Sequence, residues 1–486
     1  MSPTDQTVEK ARPRRKSTRS ARISRKSDMA GIAHLKEQSH QVNVLNATDA
    51  ASIHDAVLKI LWEFGVLVEH TGARAMLLKQ RGCQEGGNGR VKLPHDLVNQ
   101  AISTVPKAIK LYDLNGRAMV DTSSKLPSYT PGHNCVRVLD HETRALRPCV
   151  LDDIRKTAIV CEKLPNIAMS CSLGYPGDVP AEDEALETLK MQLKHCSKPA
   201  IFLAHDDHIQ SRIFNHLASL VGGMGNLADK PIAIELMGPI SPLKLPEDFC
   251  QRVINGARAR VPIVCYPATF PGMSSPISAA GAIAQSSAEA IAGIVVHQLT
   301  EPGAPVLSGS AVLPMDMRQA DLAYGSPEYM LNGLGAADYF KHVGIPSWIG
   351  AGCSDSHDFD AQAAGEAGAN MAISALASTP FVHNLGYLSG GRTGSLEMLA
   401  LCDELVGWTN QMAGGCKVDA DTIAVEVIKR AAPDNSYLTD QHTQDRYLSE
   451  NWFPTLMERS DADAWLERGG PDLRSRISQR LGDILK

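Results

Sequence analysis

"PIAIELMGPISPLKLPEDFCQRVINGARARVPIVCYPA", residues 231–268, decides the fold. Two short apolar runs, "PIAIELMGP" and "VPIVCYPA", flank a segment with helical patterning over about 246–259. Each run is almost continuously apolar instead of alternating, the pattern of a strand covered on both faces in a parallel sheet. The same unit recurs on either side. "YTPGHNCVRV", "IAMSCSLGY" and "PAIFLAHD" precede it, and "APVLSGSA", "IPSWIGAG" and "TPFVHNLGY" follow. Helices are expected near 151–163, 181–195, 209–221, 246–259, 279–299, 327–342, 361–377 and 396–411. Eight strand–helix units over residues 127–415 predict an α/β protein, a (β/α)8 TIM barrel and not an open doubly wound sheet. The first strand is ambiguous, because "NCVRVLDHETRALRP" also reads as strand–turn–strand.

The flanking segments differ in texture. Residues 1–30 carry "KARPRRKSTRSARISRK", basic and nearly free of large apolar side chains, and read as a disordered tail. Residues 31–126 read as an α-rich N-terminal region. There Ile53, Val57, Ile60, Leu61 and Phe64 fall at helical spacing, with Gly65 as a stop, and "VKLPHDLVNQAIST" forms a second helix. Residues 416–486 form a C-terminal extension, expected to cover the barrel mouth or to make an oligomer contact.

A net charge of −6 over 486 residues argues against a nucleic-acid-binding body. The 11 cysteines are scattered without a C-x-x-C pair, which suits a reducing cytoplasm. The start lacks the apolar core of a secretory signal, and no run of 18 apolar residues predicts a membrane span.

In such barrels the loops after the strands form the active face. They collect Tyr129 and Thr130; Tyr175; His205, Asp206, Asp207 and His208; Ser241; Tyr266; Ser308, Ser310, Asp316 and Arg318; Ser354, Asp355 and His357; and His383, Asn384 and Tyr387. "HDDH" at 205–208 resembles a metal cluster, but adjacent residues point different ways, and an aspartate there suits a helix cap. Asp360 is a cap candidate for the next helix. No tightly bound metal is expected. No phosphate loop is present, and "GGRTGS" at 390–395 is a weak anion signal.

The ordered series "NGRVKLPHDLVNQAISTVPKAIKLYDLNGR", "PISPLKLPEDF", "SSPISAAGAIAQSSAEAIAGIVVHQLTEPGAPVLSGS", "GCSDSHDFDAQAAGEA" and "HNLGYLSGGRTGSLEML" resembles the trimethylamine methyltransferase superfamily from about residue 50 onward. The resemblance implies a barrel that moves a methyl group from a methylated amine to the cobalt of a corrinoid (cobalamin) on a separate corrinoid protein. Archetypal members contain pyrrolysine and this chain does not, so the resemblance points to members acting on quaternary amines such as glycine betaine. A quaternary ammonium is already charged and needs little acid–base help. It needs to be held, aimed and kept dry.

Aromatic faces hold such cations, at roughly 0.5–2 kcal/mol per contact. Tyr129, Tyr175, Tyr266, Phe270, Trp348 and Tyr387 are the candidates, with His205, His357, His383, Arg318 and Arg392 available to a carboxylate. Asp355 and His357 are expected to position substrate, and Gly350, Gly352, Ser354 and Gly386 to line the corrinoid's approach. Two other readings compete: a metal-dependent barrel hydrolase using His205, His208, His357 and His383, and a non-catalytic amine-binding module. "AAGAIAQSSAEAIAGIVV" could pack within the barrel or against a second copy in a homo-oligomer.

Overall fold

The apolar runs become a ring of parallel strands in the computed structural model, which describes residues 41–486 apart from Ser378. The basic tail expected over 1–30 lies outside the described residues. The strands are β1 (Ser128–Pro131), β2 (167–170), β3 (Ala200–Phe202), β4 (Ala233–Met237), β5 (Ile263–Cys265), β6 (Val306–Gly309), β7 (Ser347–Gly350) and β8 (Phe381–Leu385). Seven pair in the order β1-β8-β7-β6-β5-β4-β3. Residues 167–170 close the ring: Ile167 bridges to Tyr129 and Ser170 to Ala200, and the Ala168 N–H donates to the Tyr129 carbonyl at 2.8 Å. Both readings of the first strand hold, since β1 enters the barrel and a hairpin, Arg137–Leu139 with Leu146–Pro148, follows it.

The helices are α1 (Leu151–Lys163), α2 (Ala181–His195), α3 (Asp207–Val221), α4 (Glu247–Ala259), α5 (Ala279–Thr300), α6 (Pro327–Val343), α7 (Ala361–Ser374) and α8 (Leu396–Ala413). Strand alternation sorts the side chains. Ile234, Leu236, Val264, Leu307, Trp348 and Phe381 meet inside the ring, while Met237, Ile263 and Val306 face the helices. Among the described residues α5 is the one helix long and apolar enough to cross a membrane, and most of it is buried within this fold. Its small residues serve that burial: a Cβ on Gly293 would sit 2.8 Å from the Cys265 sulfur on β5.

The N-terminal region adds a feature that the helical reading missed. A hairpin, Lys110–Tyr112 with Ala118–Asp121, plugs the ring. Its Leu111 and Val120 join the interior cluster. The Tyr112 N–H donates to the Pro231 carbonyl and the Leu114 N–H to the Ser197 carbonyl, both at 2.9 Å and both just before strands. The plug therefore closes the N-terminal end of the barrel. The expected helices form at Ala47–Lys59 and His95–Thr104, joined by a small sheet containing Val66–Val68 and Arg90–Lys92.

The C-terminal extension forms α9 (Ala420–Ile423), α10 (Val425–Ala431), α11 (Gln441–Glu450), α12 (Ala462–Glu467) and α13 (Leu473–Leu485). The final helix α13 does not cover the mouth. It lies on the outer layer, with Ile477 and Leu481 buried against the α1 and α8 side, because those are its apolar positions at helical spacing. Arg474 alone reaches the rim from it, donating to Asp358 at 2.7 Å.

Candidate active site

The C-terminal ends of β7 and β8 build the site. Trp348 points inward and stacks on Phe381, with ring centroids 5.0 Å apart at 14°. Two residues on, Gly350 faces the same way with no side chain. A Cβ there would collide with the Tyr329 hydroxyl and the Asn384 amide, so the glycine makes room for Tyr329 arriving from the first turn of α6. The Asn384 amide donates to that hydroxyl at 2.8 Å.

His383 lies at the centre. The edge of Tyr266 meets it at 5.2 Å and 81°, Trp348 at 5.0 Å, and His133 stacks near it at 6.3 Å and 19°. Its Nδ1 lies between the Trp348 indole N–H and the Ile349 carbonyl, the latter at 2.9 Å. A proton on Nδ1 serves the carbonyl; a proton on Nε2 leaves Nδ1 to accept from the indole. Burial pushes His383 down to about 3 and His133 down to about 4, so both rings are neutral at ordinary pH.

Tyrosines complete the cluster. The Tyr387 ring occupies the space that a side chain on Gly132 would take. Its hydroxyl accepts from the His133 N–H at 2.7 Å and the Asn134 N–H at 3.2 Å, and donates to the Asn134 side chain. Tyr324 lies between Tyr329 and Tyr387, at 4.9 and 6.2 Å. Burial raises the pKa of all four phenols, Tyr266, Tyr324, Tyr329 and Tyr387, so they stay protonated.

The turn after β7 supports this cluster from below. The Asp355 carboxylate accepts from the Tyr324 and Gly325 N–H groups at 2.8 and 3.0 Å, fixing the segment that delivers Tyr324 and Tyr329. Burial raises its pKa against the lowering by those two bonds. Glu366 of α7 accepts from Ser354 at 2.6 Å and from the Asp355 N–H at 2.9 Å. His357 is exposed and bonds Ser389 at 3.0 Å. Asp360 caps α7 at the Ala363 N–H, as expected.

Several sequence-predicted residues lie elsewhere. Tyr129 points outward, beside Ser374 and Thr409 of the helical layer. Tyr175 and His205 form a separate patch, 6.2 Å apart, where Glu184 bonds His205 at 2.9 Å and raises its pKa. Asp206 caps α3 at the Ile209 N–H. Arg318 is 86% exposed and paired with Asp316, while Arg392 pairs with Asp321 across the rim at 2.6 Å. Phe270 packs at the edge of the cluster. Gly352 and Gly386 have positive φ, and side chains on them would meet Leu385 and Leu173. Gly350 likewise packs against Tyr329 and Asn384, and Ser354 bonds Glu366. Ser241 bonds Glu289 of α5.

The hydrolase reading finds no ligand set. Among the described residues no three His, Cys, Asp or Glu side chains converge as a metal-holding group. Sequence reasoning missed His133, Tyr324 and Tyr329. His133 lies just past Gly132 in the first apolar run, a position that the loop argument covers. Tyr324 and Tyr329 reach the mouth through a fold-back that no local pattern announces. Together the rings form a dry wall of π faces and neutral donors, chemistry that holds an organic cation.

The comparisons with known proteins give the family and the fold. The family model described as trimethylamine methyltransferase (MTTB) matches residues 11–486. The chain is 28% identical over 425 residues to a glycine betaine methyltransferase of Desulfitobacterium hafniense, covering 87% of this chain and 88% of the relative. It is 28% identical over 460 residues to a trimethylamine methyltransferase of Methanosarcina barkeri, covering 92% and 91%. Among solved structures it resembles a hydroxylamine MtmB complex with a TM-score of 0.51 at 13% identity, over 91% of this chain and 89% of that one, a likeness of fold.

Proposed function

The chain belongs to the trimethylamine methyltransferase family and is a methyltransferase, and from that premise we propose that it demethylates a quaternary amine, glycine betaine or a related betaine, and delivers the methyl group to Co(I) of a corrinoid on a separate protein. One observation carries the reading: Trp348 and Tyr266 meet His383, which stacks near His133, both histidines are kept neutral by burial, and Tyr324, Tyr329 and Tyr387 form a second ring cluster at the same strand ends.

A quaternary nitrogen bears a charge throughout the ground state. Aromatic faces stabilise that charge, and uncharged imidazoles do not repel it. The C–N electron pair stays with the departing neutral amine, and Co(I) supplies the pair for the new bond to carbon. No proton moves, so the site needs no acid poised at neutral pH. Tyr329, whose oxygen already accepts from Asn384, can donate its own proton to a betaine carboxylate. Asp355 acts by positioning Tyr324 and Tyr329. The corrinoid protein is a substrate that meets the mouth. Eleven free cysteines suit the reducing, cytoplasmic setting that Co(I) chemistry requires.

The test uses the purified full chain with Co(I)-cobalamin, or a corrinoid protein, and a panel of betaines, trimethylamine and a sulfonium. Loss of the Co(I) absorbance with a betaine and not with trimethylamine is expected. Transfer from trimethylamine alone, or binding of betaines without any transfer, overturns the reading.

A further inference from the structure

Glu289, midway along α5, is 0% exposed and forms no ion pair among the described residues. A buried carboxyl without a cation is costly unless donors surround it. Four surround this one. Oε1 accepts from the Leu243 N–H and the Gln285 amide, both at 3.0 Å. Oε2 meets the Ser241 hydroxyl at 2.5 Å; Thr269 bonds the same carboxyl, and the two hydroxyls lie 3.0 Å apart. Oε1 therefore faces N–H groups that can only donate, while Oε2 faces a hydroxyl that can also accept. Burial raises the pKa of Glu289, and these contacts suit the protonated carboxyl, with its proton on Oε2.

The donors come from two different loops at the mouth. Ser241 and Leu243 follow β4, and Thr269 follows β5. Leu243 has a φ of +53°, a left-handed backbone that a leucine keeps only where its surroundings hold it. One turn earlier on α5, Gln285 donates to the Ser274 carbonyl at 2.7 Å, and the Ser274 hydroxyl accepts from the Phe270 N–H at 2.9 Å. Ser286 bonds Ser310, just past β6, at 2.5 Å. Beyond the ring, Ile240 bridges to Ala268, and Ala268–Thr269 pairs in parallel with Ala311–Val312. A second tier of backbone pairing thus continues β4, β5 and β6, and α5 holds it from outside. Tyr266 lies between the tiers. Its N–H donates to the Met237 carbonyl at 2.8 Å, and its ring meets His383.

We propose that Glu289 is a positioning residue for methyl transfer: by joining the loops after β4 and β5 it fixes the second tier and keeps Tyr266 against His383. The inference rests on the reading of that ring cluster as the substrate site. Glu289 acts through the geometry of its four contacts and not through a charge.

Hydrogen–deuterium exchange and methyl-transfer kinetics test it on the full chain, in the wild type and in Glu289→Gln, Glu289→Ala and Ser241→Ala. In Glu289→Gln the amide oxygen replaces Oε1 and the amide nitrogen donates to the hydroxyls, so both measurements should match the wild type. Glu289→Ala should speed exchange in 238–245 and 266–277 while β1 and α7 stay protected. It should raise KM for the amine about tenfold and change kcat less than about threefold. Ser241→Ala leaves the carboxyl bonded to Leu243 and Gln285; it should move both readouts the same way by less, and it carries the test if Glu289→Ala does not fold. Unchanged exchange in these loops overturns the proposal. Faster exchange with an unaltered KM also overturns it, because the tie is then structural only, as does a Glu289→Gln protein as impaired as Glu289→Ala. The kinetics use whichever amine the wild type demethylates, so transfer from trimethylamine alone, which defeats the betaine reading, still decides the role of Glu289.

Discussion

Two patches at the barrel mouth pair a tyrosine with a histidine, and they behave oppositely. On the β8 side, Tyr266 and His383 are enclosed, and desolvation holds the imidazole neutral. On the β2–β3 side, Tyr175 and His205 are partly open to water, and Glu184 holds the imidazole toward its charged form. The same two residue types thus make a buried, neutral ring contact in one place and a solvated ion pair in the other. Burial and the neighbouring carboxylate decide which, and a motif would not have separated them.

The comparison breaks most visibly at His383. His383→Ala should lower kcat/KM about 100-fold, through lost packing around Trp348 and Tyr266 and a wetted site. Near-normal kinetics would place the receptor elsewhere. Tyr387→Phe leaves the His133 and Asn134 N–H groups without their acceptor, and should cost about 1–3 kcal/mol in denaturant unfolding while also weakening transfer. Asp355→Asn should raise KM severalfold and cost about 1–2 kcal/mol, because an amide oxygen replaces a carboxylate that accepts two backbone N–H groups.

Acid separates the patches further. His383 and His133 have depressed folded pKa values against an unfolded value near 6.5, so the unfolded chain binds the extra protons. Stability should be full above pH 6.5 and fall by on the order of 1–2 kcal/mol per histidine by pH 5. His383→Gln should flatten that limb. His205 has the opposite sign: its contribution is present below pH 6.5 and is lost as pH rises through its raised folded pKa. The smallest effects belong to His205→Ala and Arg318→Ala, which should leave kcat/KM within about twofold, as expected of solvated pairs.

The eight strand–helix units were readable because parallel strands buried on both faces leave continuous apolar runs, and each run ended in the chain near its real strand. Direction in or out was not readable from a run's end. Tyr129 pairs in register with Val382, which faces the helices, so Tyr129 faces them too. His383, one residue on from Val382, faces inward by the same alternation. The plug at 110–121 was missed because "KLYDLNGRAMVD" precedes the repeating units and looks like part of a helical region. Tyr324 and Tyr329 depend on contacts to Asp355 and Asn384, 31 and 55 positions away in sequence.

That plug has a kinetic consequence. Leu111 and Val120 close the N-terminal end of the ring, so a substrate of the proposed reaction has the C-terminal mouth as its way in. On the proposed function, an acceptor protein seated at that mouth covers the way in, and the expected kinetics are ordered: amine first on and demethylated product last off, with that product competing against the amine and not against the acceptor.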